Sequence, residues 1–427
     1  VFHGIELNGT RPPLAGASGC VYVTGMTTPP TAASPPVPAQ PGGIAFRLAW
    51  FYGAIFFVFG VYLPFWPVWL AAQGLSDPEI GLLMATGPWI AVLASPLAGR
   101  LADRLGRRRP ILIGLSLLLA AAYTAMFGLQ GFWAILAAMC VAGLAQSPLS
   151  PLTDSLTLFA QARGLADYGR VRLWGSFAFI VASLVVSRLL STLPEATILW
   201  VIVIGAVVMV LVSLAIPEIR PDGPRAGPGP FAALLGNRVF LVFLGVAVVL
   251  MASHAVYYAV GSLHWRRAGV DPTVIGLLWA EGVVAEIVLF AYGRRALARF
   301  SPVGLLMVRA VAGLIRWPAL AATTDVGWLV LFQALHGLTF GAAHLGGMTF
   351  IGRAVPEAYS GTAQGLYTAI VAGLGLGSML AVSGALYHAA GANAFLVMAL
   401  LSGAGLAGAL VLHRIWDGGT LAVSRPA

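Results

Sequence analysis

Charge is what this sequence has least of. Asp, Glu, Lys and Arg make up 9% of its 427 residues, against the roughly 25% of a soluble globular chain. Hydrophobic residues make up 59%, more than a soluble fold of this length can hide, so lipid is the expected solvent for much of the surface. Lysine is absent, and all 24 basic residues are Arg. A net charge of +9 would suit nucleic acid if the arginines formed one patch. They are scattered between long apolar runs, which points to membrane topology and to no nucleic-acid partner. Cysteine is nearly absent too: Cys20 and Cys140 are too few and too differently placed for a disulfide framework or a metal site. No paired His at helical spacing stands with a carboxylate, and no Gly-rich loop could cradle a phosphate. Metal-dependent catalysis and direct nucleotide hydrolysis are therefore not expected, nor are a cofactor or any catalytic residue.

What is present is a series of apolar stretches, each near the 20 residues a helix needs to cross about 30 Å of hydrocarbon. Twelve such stretches fall within 46–72, 80–99, 110–129, 132–158, 171–191, 196–216, 238–262, 274–293, 303–322, 326–352, 362–387 and 391–413. The even-numbered connectors carry Arg100, Arg104, Arg107, Arg108 and Arg109, then Arg163 and Arg170, Arg220 and Arg225, Arg294, Arg295 and Arg299, and Arg353. The odd-numbered ones hold Asp77, Glu79, Glu195 and Asp325, with Arg266 and Arg267 as the basic exception. Arg near helix ends is retained on the cytoplasmic side, so both termini are expected in the cytoplasm. Residues 1–45 read as a polar, Pro- and Gly-rich, disordered cytoplasmic tail; a start at Val1 with Met26 downstream suggests that part of it is a mis-assigned start. Residues 415–427 read as a second cytoplasmic tail.

The longest connector, within 217–237, is rich in Pro and Gly and divides the chain into halves at 46–216 and 238–414. The halves share a signal. Gly74-Leu-Ser-Asp-Pro-Glu-Ile-Gly-Leu-Leu83 aligns without gaps on Gly269-Val-Asp-Pro-Thr-Val-Ile-Gly-Leu-Leu278, and the same offset puts Arg100 on Arg295 and Arg104 on Arg299. Both copies lie between the first and second helix of their half, as expected of two versions of one six-helix unit.

After the second helix comes Gly99-Arg-Leu-Ala-Asp103-Arg104-Leu-Gly106-Arg107-Arg108-Arg109. This resembles the cytoplasmic signature of the major facilitator superfamily, with every position filled. The resemblance implies an all-α membrane fold of twelve helices in two pseudo-symmetric bundles. It also implies a gate motif of Gly99, Asp103, Arg104, Gly106 and Arg107 that latches the halves in one of two alternating states. Gly99 and Gly106 would permit close approach and a tight turn, and Asp103 would accept from a helix N-terminus or pair with an Arg of the bundle. An ordinary positive-inside loop explains the arginines but not Asp103 with both glycines. The second copy, Gly293 to Arg299, lacks the Asp, so the latch is expected to be asymmetric.

Ionisable groups inside the hydrocarbon are costly, and those present usually face a cavity and act. Asp154 and Arg172, with Tyr168-Gly-Arg-Val-Arg-Leu-Trp-Gly-Ser176 around the latter, resemble the part of the lactose-permease branch where an acidic residue eighteen positions before an Arg pairs with it across the substrate cavity. A cytoplasmic-end salt bridge is the structural alternative. Glu281 and Glu286 share the eighth helix, five residues and so about 140° apart, and cannot both point at one cavity centre. Arg309 and Arg316 are seven apart and share a face of the ninth helix; His336 and His344 follow in the tenth. In the lactose-permease branch a carboxylate, an Arg and a His form a proton relay, and Glu281, Arg309 and His336 occupy matching places. Thr339 departs from that pattern, since the branch carries a second acid there. A glutamate is the expected proton site, because burial favours the protonated carboxyl and a nearby Arg opposes it. Each histidine is also readable as a core hydrogen-bonder.

Tyr52-Gly, Gly60-Val-Tyr-Leu-Pro-Phe-Trp66, Ser253-His-Ala-Val-Tyr-Tyr258, Gly282-Val-Val-Ala-Glu286, Arg316-Trp317 and the His336–His344 run resemble the phenylpropionate-permease-like family. Tyr52, Tyr62, Phe65, Trp66, Tyr257 and Tyr258, with His254, Asp154 and Arg172, would suit a ligand with a ring face and an anionic or hydroxylated end. Tyr and Trp also serve as interface anchors. The expected function is proton symport of an aromatic carboxylate, sugar or nucleoside across a bacterial inner membrane by a monomer. Proton-driven export is the alternative.

Overall fold

The computed structural model describes residues 43–219, 231–356 and 359–422. The expected N-terminal tail before residue 43, the last five residues and much of the central connector, with Arg220 and Arg225, lie outside them. Ten membrane-length helices come first: α1 Gly43–Ala72, α2 Asp77–Leu105, α3 Arg109–Gly128, α4 Phe132–Ala162, α5 Tyr168–Leu189, α6 Ala196–Ser213, α7 Arg238–Arg267, α8 Pro272–Ala291, α9 Pro302–Ala322 and α10 Val326–Ala354. The last helical stretch, Ser360–Ile415, counts 56 residues, too long for one crossing at about 1.5 Å per residue. It turns back at Gly391, whose φ of 56° is open to glycine and strained for other residues. Two helices result, α11 over 360–390 and α12 Ala394–Ile415. Among the described residues the count of membrane-length helices is twelve. Large apolar side chains such as Leu93, Trp133 and Leu400 stay 69–77% exposed along these helices, which only a lipid surround makes favourable.

The helices form two bundles. In the first, α1 packs on α5 and α6, α2 on α4, and α3 on α6. In the second, α12 packs on α7 and α9, and α10 on α8 and α9. The bundles meet where α2 crosses α11, α5 crosses α8, and α1 crosses the later part of α7.

The sequence repeat marks these crossings. Ser76 and Asp271 occupy equivalent positions as N-caps of α2 and α8. The Glu79 carboxylate accepts from the Ser76 N–H at 2.8 Å, and the Asp271 carboxylate accepts from the Thr273 N–H at 2.8 Å; each satisfies a backbone donor that a helix start leaves unpaired. Those hydrogen bonds hold the Asp271 carboxyl below the usual carboxylate range. Five residues beyond each cap comes the shared glycine. A methyl on Gly81 would stand 2.7 Å from the Gly384 nitrogen in α11, and one on Gly276 would overlap the Ser187 hydroxyl in α5. The repeat thus encodes two equivalent close approaches between bundles.

The chain has two faces, set by connectors. On the odd face, carrying the connectors after α1, α3, α5, α7, α9 and α11, ion pairs join the bundles. Arg267 at the end of α7 holds Asp77 through two nitrogens at 2.8 and 2.9 Å, and Arg266 meets Glu195 of the α5–α6 connector at 2.5 Å. The Arg267 guanidinium also lies 5.7 Å from the Tyr387 ring of α11, and the Tyr387 hydroxyl is 2.9 Å from His264 Nδ1.

Candidate functional site

Three helices of the second bundle depart from regular α-helix. α7 breaks at Ser253–His254 between Arg238–Ala252 and Ala255–Arg267. α10 takes a π turn over Gly337–Gly341 and α11 one over Thr368–Leu376. The departures in α7 and α10 free carbonyls, and Arg309 of α9 uses them. It donates to the Leu250 carbonyl, to the Thr339 carbonyl at 2.5 Å and to His254 Nδ1 at 3.0 Å. Arg309 and His254 are both buried, so backbone oxygens and an imidazole, with no carboxylate, solvate this guanidinium.

Two turns along α9, Arg316 centres a longer chain. Its Nη1 donates to His336 Nδ1 and to the Thr339 hydroxyl, each at 2.9 Å, and its Nη2 donates to Gln333 Oε1 at 2.5 Å. The guanidinium lies 4.7 and 4.8 Å from the Tyr257 and Trp317 rings, where a planar cation is favourable. Gln333 Nε2 donates to the Tyr257 hydroxyl at 2.9 Å and the Leu278 carbonyl at 3.1 Å. At the other end His336 Nε2 stands 2.9 Å from Glu286 Oε1 of α8. A buried chain therefore runs Glu286–His336–Arg316–Gln333–Tyr257.

The relay expected from Glu281, Arg309 and His336 is regrouped accordingly. His336 keeps its place, but the partnering acid is Glu286 and the partnering Arg is Arg316. Glu281 is half-buried, with Arg316 its charged neighbour, and makes no hydrogen bond or ion pair among the described residues. The five-residue spacing explains the split, since only one of the two carboxylates can face α10. Thr339, where the relay pattern would carry an acid, presents a hydroxyl to Arg316.

In the first bundle Asp154 of α4 accepts from the Tyr52 hydroxyl of α1 and the Tyr168 hydroxyl of α5, the latter at 3.1 Å. Arg172, one turn beyond Tyr168, lies flat over the Phe56 ring at 4.0 Å and 5.7 Å from the Tyr52 ring. Asp154 and Arg172 are thus near neighbours through Tyr52 and Tyr168, but the expected ion pair between them is not formed. Two phenol donors already meet the carboxylate, and the guanidinium rests on aromatic faces. Arg172 makes no ion pair among the described residues. It does lie, with Glu286, in the electrostatic field of the exposed His344 of α10. His344 is thus within electrostatic reach of a charge from each bundle.

The remaining expected contacts divide. Tyr258 is buried beside His254, ring centres 5.5 Å apart, with Glu286, Arg316 and Arg309 as charged neighbours. His254 belongs inside the charged cluster instead of on a ligand-facing wall. Trp66 is buried within the first bundle, stacked 4.4 Å from Trp69 and edge-on to Tyr123 at 5.6 Å; Tyr62 stacks on it at 5.8 Å. Trp66 is a core aromatic, while Tyr62 is only partly buried against it. Gln333 and Tyr168 are members of the site to which the sequence reading gives no role. Gln333 carries a usable signal, a lone amide in an apolar run.

At the even face the signature turn closes through Gly106, with φ 62°. A methyl on Gly99 would meet no atom within 4 Å, so its expected close approach is not made in this conformation. Asp103 pairs with Arg108 at 3.1 Å. Arg108 is buried; its Nε donates to Ser155 at 3.1 Å, its backbone N–H to Glu218 at 3.1 Å, and its guanidinium covers the Phe159 ring at 4.5 Å. Arg104 and Arg107, expected in the gate, are exposed and form no ion pair among the described residues. The signature thus ties α2–α3 to α4 and the end of α6, inside one bundle.

Against known proteins, residues 45–397 match the model of the MFS_1 like family. The chain belongs to that family. It is 36% identical over 365 residues to a probable 3-phenylpropionic acid transporter of Escherichia coli (strain K12), covering 83% of this chain and 94% of that protein. It is 30% identical over 333 residues to a maltose permease of Geobacillus stearothermophilus, covering 76% and 83%. The crystal structure of the nucleoside transporter NupG superposes with a TM-score of 0.76 at 19% identity, over 88% of this chain and all of that one; the likeness shows the fold. The MFS_1 like chain is therefore an integral membrane protein of phenylpropionate-permease-like type, a secondary transporter of small organic solutes and not an enzyme.

Proposed function

We propose that this transporter imports an aromatic carboxylate together with a proton by alternating access, as a monomer in a bacterial inner membrane with the even face toward the cytoplasm. The observation that carries the reading is that Arg172 of the first bundle and Glu286 of the second both lie within electrostatic reach of His344. A carboxylate held by the unpaired Arg172 would sit near Glu286, and its charge favours a protonated Glu286. Cargo and proton then bind together more readily than either does alone. Ion pairs join the bundles at the odd face, the contacts expected of a carrier closed on that side. Rocking the halves about the 217–237 connector would expose the same groups to the other side. A carboxylate anion and one proton cross as a neutral pair, so the membrane potential does no work on them, and a unit of pH gradient supplies about 1.4 kcal/mol, or about tenfold accumulation.

The test is uptake of labelled 3-phenylpropionate into proteoliposomes, with maltose and a nucleoside as comparison solutes. An alkaline lumen is expected to drive accumulation of the aromatic acid, and a proton-conducting ionophore to abolish it. Glu286→Gln is expected to lose accumulation and keep exchange of internal for external solute. Uptake only into an acidified lumen would make the protein an exporter and overturn the reading.

A further inference from the structure

Gln333 is a fully buried amide in an otherwise apolar stretch of α10, and it joins four helices. Its oxygen accepts from Arg316 of α9; its nitrogen donates to the Tyr257 hydroxyl of α7 and the Leu278 carbonyl of α8. An amide fixed by two acceptors on its nitrogen cannot flip, because flipping would aim NH₂ at the guanidinium. The oxygen therefore must face Arg316. This holds Arg316 with Nη1 on His336 Nδ1.

A guanidinium N–H only donates, so His336 Nδ1 only accepts. A neutral imidazole accepting at Nδ1 carries its hydrogen on Nε2, the nitrogen 2.9 Å from Glu286 Oε1. The bonds from Arg316 to His336 and from His336 to Glu286 are both met by that one tautomer, and Arg316 Nε alone is left without a partner. An imidazolium would place a second N–H against the Arg316 N–H, two donors with no acceptor between them. The other groups around His336 reinforce the constraint. Arg309 adds a second buried cation, and the His254 and Tyr257 rings lie 5.9 Å away. Glu286 is the neighbouring anion, itself facing Tyr258 and His344, while Glu281 stands toward Arg316 without a bond to it.

We infer that Gln333 is a positioning residue that locks His336 as a neutral, Nε2-protonated linker, leaving the uncommitted oxygen of Glu286 as the place where the coupling proton resides. The inference deepens the symport reading and rests on it for the word coupling, but the tautomer lock can be read with no substrate at all. His336 is then a spacer between Arg316 and Glu286 and does not carry charge through the cycle.

The experiment is nitrogen NMR of the purified transporter with ¹⁵N-labelled histidine in nanodiscs, titrated from pH 8 to 5, with His336→Gln identifying the resonance. The wild type is expected to show His336 in the Nε2–H tautomer throughout. Gln333→Met, of similar volume and without the amide, is expected to let His336 take up a second proton within that range. Gln333→Glu, which keeps an acceptor for Arg316, is expected to preserve the lock. A wild-type His336 that is protonated on Nδ1, or that titrates as freely as in Gln333→Met, overturns the inference; so does a Gln333→Met protein whose His336 still does not titrate. Transport separates the two readings. If the lock holds but Glu286→Gln still concentrates 3-phenylpropionate, symport through Glu286 is the part that fails.

Discussion

Two aromatic-rich regions that look alike in sequence do different physical work, and substitution separates them. Trp66 fills the first bundle between Trp69 and Tyr123, so Trp66→Ala is expected to cost about 3–5 kcal/mol in stability and to lower the melting temperature in detergent, with the KM of the surviving protein unchanged. Arg172→Lys is expected to do the reverse. Lysine lacks the planar fork that both lies on Phe56 and grips a carboxylate, so the KM for 3-phenylpropionate should rise about tenfold or more while the melting temperature stays put. An unchanged KM in Arg172→Lys would remove Arg172 from the binding site. At this scale the sequence names most of the ionisable groups that the structure gathers, Glu286, Arg309, Arg316 and His336 among them, because charge in an apolar run is conspicuous. It cannot name the pairs. Which of two glutamates meets His336 depends on the rotation and depth of α8 against α10, and a neutral amide such as Gln333 gives no charge signal.

Helices are the most legible level. Twelve apolar stretches correspond to twelve helices because backbone groups in lipid must be satisfied within the segment, and that leaves length and hydrophobicity as nearly sufficient signals. The interruptions are not legible. The break at Ser253–His254 and the π turn at Gly337–Gly341 contain no proline; tertiary partners, above all Arg309 taking the Leu250 and Thr339 carbonyls, make those departures favourable. Helix starts are better marked, and the Asp271 cap gives a prediction. Asp271→Ala is expected to cost about 0.5–2 kcal/mol by leaving the Thr273 N–H unpaired. Because the folded-state carboxyl is held below its ordinary range, this contribution is present at neutral pH and fades as pH falls through that lowered value. Melting curves of wild type and Asp271→Ala should therefore differ at pH 7 and converge in acid, and a gap that persists in acid would show that the cap acts through something other than the carboxylate.

For the molecule as a whole, the arginines that break the topology pattern turn out to close one of its faces. Arg266 and Arg267 are basic residues among acidic connectors, and each reaches across to an acid of the other bundle, Glu195 and Asp77. Both pairs are partly exposed, so solvent screens them and each contributes at most about 1 kcal/mol. Conformational equilibria respond to such amounts: two pairs near that limit bias the closed face by roughly thirtyfold. The glycine crossings at Gly81 and Gly276 supply the rest by letting backbones touch, and they need no charge to do so. Asp77→Arg should therefore open the odd face by repelling Arg267 without unfolding either bundle. Adding Arg267→Asp should close it again, since the swapped pair restores the attraction. The readout is labelling of Ser187→Cys, buried where α5 meets Gly276, by a membrane-impermeant thiol reagent applied from the odd side in a background with Cys20→Ala and Cys140→Ala. Labelling is expected to be slow in the parent, fast in Asp77→Arg and slow again in the double variant. Equal labelling in all three would mean that the glycine crossings alone hold the face shut and that the ion pairs only decorate it.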